Sequence, residues 1–241
     1  MHSIQKILSH TTGEARFLKI IALATHLRER YEQNNQETKK TARVLEAIIH
    51  EYGELGDWFG ENATTIKTSE YDDYVNGVDL VVELSDDDFS HHLALAVDVT
   101  FGSKHVHKKF QKIKEEIDAE KLAEVKYFES HGFRGTLKQV PRIVVGAECD
   151  TVRQLAALWN SGDKAALAGH EIRNILQAEI ATELETFLAY AEKNGKRNAA
   201  RSFRQALGVL SLTKMRDGGL TSKTPADAMF QSILEGLKLF K

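Results

Sequence analysis

Two aspartates in this chain interrupt apolar runs: Asp79 in GVDLVVEL and Asp98 in LALAVDVTF. A lone carboxylate inside a buried strand carries a desolvation penalty unless something neutralises it. If the two runs are neighbouring strands, one register sets the carboxylates side by side. Like charges that close are tolerated only with a shared proton or a cation. Mg2+ or Mn2+ meets that need, because hard divalent ions take carboxylate and water oxygens. Such an ion polarises a phosphoryl oxygen and turns a water into a nucleophile. The chemistry predicted for the pair is therefore phosphodiester hydrolysis. Taken singly, each aspartate reads equally well as a solvated strand-end acid; their joint appearance and order favour a ligand pair.

Other residues fit around that pair. Glu51 lies three positions after Ile48 and four before Leu55, at the border of an apolar helix face from which it reaches inward. Glu54 is the fallback if the helix bends at Gly53. Beyond Asp98, Lys104, Lys108 and Lys112 follow at i, i+4 and i+8 on a predicted helix, with His105, His107, Lys109 and Lys114 among them. That surface would neutralise the phosphates of a bound strand, although a solvated helix face is the ordinary reading of any one lysine. A second basic patch, Lys193, Lys196, Arg197, Arg201 and Arg204, surrounds Phe203. His105 and His107, two apart on a helix, point to different sides and cannot share a zinc ion. The acids in Tyr71-Asp72-Asp73 read as surface. The phosphate-binding glycine loop, nucleophile-elbow, zincin and dinucleotide motifs are missing from the sequence.

The elements that must position these residues follow from periodicity. Phe17, Ile20, Ile21, Ala24, Leu27 and Tyr31 predict a helix over 14–32. Val44, Leu45, Ile48, Ile49, Tyr52 and Leu55 predict a second, ended by Gly53, Gly56 and Gly60. Residues 64–84 predict two strands around the turn pair Asn76-Gly77. The polar stretch 85–92 predicts a loop, and 93–101 a strand apolar enough to be buried on both faces. Ser103 then caps a helix carrying Val106, Phe110, Ile113 and Ile117, and 140–148 is one more buried strand. From Thr151 onward the pattern is helical, over 175–193, 201–212 and 228–240 in particular. The expected organisation is an N-terminal helical segment (1–36), an α/β core (37–150) and a helical C-terminal region (151–241) that packs on the core or forms a homodimer interface. With 241 residues, one cysteine (Cys149) and a net charge of −3, the chain excludes a disulfide scaffold and any bulk basic signature. The stretch 17–27 lacks the features of a signal peptide, and no run is long enough to span a membrane. A cytoplasmic protein is expected.

Helix with an acid, strand, strand with Asp79, strand with Asp98, helix and strand: this order resembles the PD-(D/E)XK nuclease superfamily. The resemblance implies a restriction-endonuclease-like α/β/α sandwich and a Mg2+- or Mn2+-dependent nuclease acting on DNA in preference to RNA. It puts Asp79 in place of the first aspartate and Asp98 in place of the second acid. The Val99 carbonyl becomes an extra ligand, and Glu51 the helix acid. The tripeptide reads Asp98-Val99-Thr100, so Thr100 stands where the family has its lysine. Its hydroxyl can hold a water but brings no positive charge. In some members of the superfamily that lysine has moved to a neighbouring element, and Lys104 and Lys108 are the expected replacements. The nucleic-acid contacts implied are Lys104, His105, Lys108, Lys109 and Lys112. The alternative is a nuclease-like fold without catalysis that binds nucleic acid or another protein.

Overall fold

The computed structural model describes residues 36–60, 63–86, 89–98, 103–216 and 228–241, with backbone alone at 36–39, within 85–105, and at 209 and 211–216. The helix expected over 14–32 lies outside these residues. The first described helix, α1 (Gln36–Leu55), buries Leu45, Ile48, Ile49 and Tyr52, the one-sided stripe that helical periodicity requires. Leu55, expected on that stripe, is instead 64% exposed. The chain leaves the helix there: Gly56 N–H donates to the Tyr52 carbonyl at 2.9 Å, and Asp57 takes a left-handed φ of 49°.

The chain is a mixed α/β protein. β1 (Ala63–Lys67), β2 (Leu80–Asp86) and β3 (Phe89–Asp98) form an antiparallel meander. After α2 (Ser103–Asp118) and the hairpin of β4 (Ala123–Glu129) and β5 (Arg134–Val140), β6 (Arg142–Gly146) lies parallel to β3. The sheet order is β1-β2-β3-β6. A parallel partner for β3 requires a crossover, and α2 with its buried Val106, Phe110, Ile113 and Ile117 supplies it. The order helix, three strands, helix, strand is present, interrupted by a hairpin that the sequence reading did not contain.

Two further expectations change. The polar stretch 85–92 continues the ladder, with Ser85 opposite Ser90 and Asp86 opposite Phe89, because backbone pairing carries the strands beyond their apolar part. Asn76-Gly77 is not a hairpin turn. Asn76 ends a π-helical turn, Asp72–Asn76, and Gly77 is its left-handed cap at φ 67°, a conformation glycine adopts without strain. The β1–β2 connection is therefore the whole of 68–79.

Alternation on β2 divides the apolar interior. Leu80, Val82 and Leu84 face the main cluster, and Val81 joins Ile66, Val78 and the hairpin residues Val125, Phe128 and Leu137 in a second one. The main cluster also takes in α3 (Cys149–Ser161), α4 (Lys164–Ala168), α5 (Ile172–Lys193), α6 (Arg197–Arg216) and α7 (Ala228–Gly236). The C-terminal helices thus pack on the sheet. β6, at the end of the sheet order, would present an open edge, which proteins cover or charge. Here α5 covers it with two fully buried glutamates one turn apart. Glu183 Oε2 accepts the Val144 N–H at 2.8 Å, and Glu179 Oε2 accepts the Gly146 N–H at 3.0 Å. Among the described residues, no helix is long and apolar enough to cross a membrane.

Candidate functional site

The segment 68–79 is built around one carboxylate. Asp72 is fully buried and accepts four bonds: Ser69 Oγ at 2.8 Å, Asn76 Nδ2 at 2.7 Å, Lys126 N at 2.7 Å and Tyr127 N at 3.0 Å. A buried carboxyl group is tolerated when its oxygens are hydrogen-bonded this fully. It fastens the π-helical turn to the hairpin. The turn's C-terminal carbonyls are held from the other side. Arg142 Nη1 donates to Asn76 O at 2.7 Å and Gly77 O at 2.5 Å, Lys112 Nζ donates to Asn76 O at 2.6 Å, and Arg142 Nη2 pairs with Glu116 at 2.9 Å. Thr68 then fixes the chain entering β2, its Oγ1 donating to Val78 O at 2.5 Å and Asp79 O at 3.1 Å. The cations at a helical C-terminus complement its dipole.

That frame brings together Asp79, Asp73 from the turn and Glu46 from α1. Burial, the Asp79 charge and a hydrogen bond shared with Asp79 raise the Asp73 carboxyl to about 8. Burial first, and Asp79 second, raise Glu46 to about 7. Lys67, Lys109 and Arg43 act in the opposite direction on Glu46, and Lys67 does so on Asp73. Burial and the neighbouring Arg142 lower the Lys112 ammonium to about 8, while Glu116 and Asp79 pull it up. Mutually repelling acids ringed by lysines are the arrangement that burial and like charge produce at reactive centres.

The predicted residues divide as follows. Asp79 is in the cluster. Asp98 ends β3 opposite Gly146. Counting outward from Leu80↔Leu95, Asp79 falls opposite Ala96, so Asp98 has the same register parity two residues on. Its side chain lies outside the described residues, as do Val99 and Thr100 entirely and the side chains of Lys104 and His105. Glu51 is not part of the cluster: it is exposed, and its Oε2 accepts the Trp159 Nε1 proton of α3 at 2.8 Å. Glu54 is exposed as well. Lys108 faces solvent, whereas Lys109 and Lys112, expected as nucleic-acid contacts, are half-buried; Lys109 acts on Glu46, and Lys112 interacts with Glu116 and Asp79. Asp72 and Asp73, read from sequence as surface, are a structural anchor and a cluster member. Glu46 carries a weak sequence signal, an acid adjoining Leu45 of the apolar helix face; Asp73 carries none, because the burial of its neighbour Asp72 shows only in the fold.

Oxygen-only donors with protons to lose suit a hard divalent cation. Among the described residues, no group of three His, Cys, Asp or Glu side chains is arranged to hold a metal ion; the acid expected from β3 is not among those side chains. The second basic patch lies at the α5–α6 corner, where Lys196, Arg197, Arg201 and Arg204 line a cavity of about 400 Å³ with Glu192. Comparison of the chain with protein-family models, curated proteins and solved structures returned no match.

Proposed function

We propose that this chain is a metal-dependent nuclease of the restriction-endonuclease-like, PD-(D/E)XK kind, cutting phosphodiester bonds of DNA. One observation carries the reading: Asp79, at the entry to β2, sits in an electrostatic cluster with a helix acid and an acid of the β1–β2 connection. The sheet order, with β2 antiparallel and β6 parallel to β3, supports the sandwich core. Asp79, Glu46 and Asp98, with the Val99 carbonyl, would hold Mg2+ or Mn2+. When bound, the ion supplies Lewis-acid polarisation of the phosphoryl oxygen and acidifies a water. Asp73, whose proton comes off near neutral pH, stands ready as a general base close to the operating range. Lys109 and Lys112 of α2 would supply the positive charge that Thr100 does not, stabilising the pentavalent phosphate as charge builds on it. Lys108, outside the acid cluster, would meet the backbone of the bound strand.

Incubation of the protein with plasmid and single-stranded DNA, with Mg2+, Mn2+ or chelator, tests this against an Asp79→Asn variant. Cutting that requires metal and disappears in Asp79→Asn is expected. Cutting that survives the substitution removes the site assignment. Binding without cutting on any substrate would identify a nuclease-like binding module instead.

A further inference from the structure

The β4–β5 hairpin is joined through Asp72 to the turn that carries the cluster acid Asp73. A regular strand alternates sides, but β4 runs Val125 buried, Lys126 half-buried, Tyr127 exposed and Phe128 buried. Its pairing shows why. Val125 faces Leu137 and Phe128 faces Gly135, so β4 advances three residues while β5 advances two. That extra residue is a β-bulge, a feature that re-aims a side chain and is over-represented beside active sites. Tyr127 is turned outward by it and is 42% exposed.

Lys126 and Tyr127 are fixed through their backbone N–H groups. Both donate to the fully buried Asp72 carboxylate, the residue between Tyr71 and the cluster acid Asp73. Tyr71 meets Tyr127 edge to face at 5.5 Å, ring planes at 83°. Lys126 Nζ lies 4.9 Å from the Tyr71 ring centroid and 5.1 Å from that of Tyr127. Two tyrosines and an ammonium are thus held, through one carboxylate, in fixed register with the acids.

We propose that Tyr127, Tyr71 and Lys126 form a stacking platform for an unpaired nucleobase on the turn that carries the cluster acid Asp73, so that the substrate is single-stranded or frayed nucleic acid. The inference rests on the nuclease reading of that cluster. A ring face accepts any base, since every base has a π face, and Lys126 neutralises an adjoining phosphate. The platform adds no sequence readout and predicts a preference for strand state, not for sequence.

Binding in chelator separates this from catalysis. Fluorescence anisotropy is measured with a single-stranded oligonucleotide and with its duplex, for wild type, Tyr127→Phe, Tyr127→Ala and Tyr127→Leu, the last retaining apolar bulk. Removing the ring is expected to weaken single-strand binding about tenfold or more, with Tyr127→Phe close to wild type and duplex binding unchanged. An oligonucleotide carrying 2-aminopurine is expected to lose fluorescence on wild type and on Tyr127→Phe but not on Tyr127→Leu. Equal losses on both substrates, no loss on the single strand, or a wild type that ignores single strands would overturn the platform while leaving metal-dependent cutting of duplex intact. Single-strand binding that depends on Tyr127, without any cutting, would support the platform and remove the nuclease reading.

Discussion

At the scale of single residues, α1 separates two glutamates, of which the sequence reading takes Glu51 and passes over Glu46. Glu46 and Glu51 lie five positions apart, about 140° around a helix of 3.6 residues per turn, and both adjoin apolar neighbours. The structure gives Glu51 to Trp159 and Glu46 to Asp79. Glu46→Gln is accordingly expected to lower metal-dependent cutting by roughly 100-fold, and Glu51→Gln to leave it near wild type; initial rates on plasmid and on single-stranded DNA decide the point. A Glu51→Gln variant as inactive as Glu46→Gln would return the helix acid to its sequence-predicted position. Asp79 was legible because a charge set among apolar residues stands out, although it precedes β2 and does not lie within it. Glu46 was not, because the border of a helix face is ambiguous until the sheet end it approaches is known. Asp72 was unreadable for a similar reason: its ligands Lys126 and Tyr127 belong to a hairpin more than fifty residues away.

At the scale of elements, periodicity served well where one face is buried against one partner, as in α2 with Val106, Phe110, Ile113 and Ile117. It failed for β4 and β5, whose alternation is broken by irregularities in the pairing between Ala123 and Phe128. It also failed at Asn76-Gly77, where a left-handed glycine serves a helical cap as readily as a hairpin. The join of β6 to α5 is a device no local pattern contains. Burial pushes the Glu183 carboxyl well above the ordinary range, against the Val144 N–H it accepts and the nearby Lys109 charge. Its Oε1 has no hydrogen-bond partner among the described residues, as expected of a carboxyl kept neutral. Glu183→Leu leaves the Val144 N–H unsatisfied and is expected to cost about 1–3 kcal/mol, read from urea unfolding. Glu183→Gln keeps an acceptor and should cost less. A leucine variant as stable as wild type would show that the edge strand needs no capping.

At the scale of the whole molecule, the buried acids impose one sign on stability. Glu46 titrates at about 7 and Asp73 at about 8 in the folded chain, against ordinary values of 4.5 and 3.8, and Glu183 is raised likewise. Between those limits the folded chain holds protons that the unfolded chain has lost, so stability falls as pH rises. Their contribution is complete below the unfolded values and is lost as pH passes through the folded ones. His170, lowered by burial, opposes them near neutrality, but it is one group against several. Lys112 opposes them higher up. With its folded value near 8 against 10.5, the unfolded chain holds the extra proton above pH 8, and stability recovers until about pH 9, where Cys149, raised by burial from 9.0, acts the other way. The metal-free protein is therefore expected to show a falling urea midpoint from about pH 5 to pH 8 and an upturn beyond. A divalent ion must displace the same protons to reach the carboxylates. Millimolar Mg2+ should thus raise the midpoint at about pH 8 and scarcely at about pH 5.5, by the mass action that stabilises any ligand-binding fold. Stabilisation of equal size at both pH values, or one that persists in Asp79→Asn, would place the ion somewhere other than this cluster.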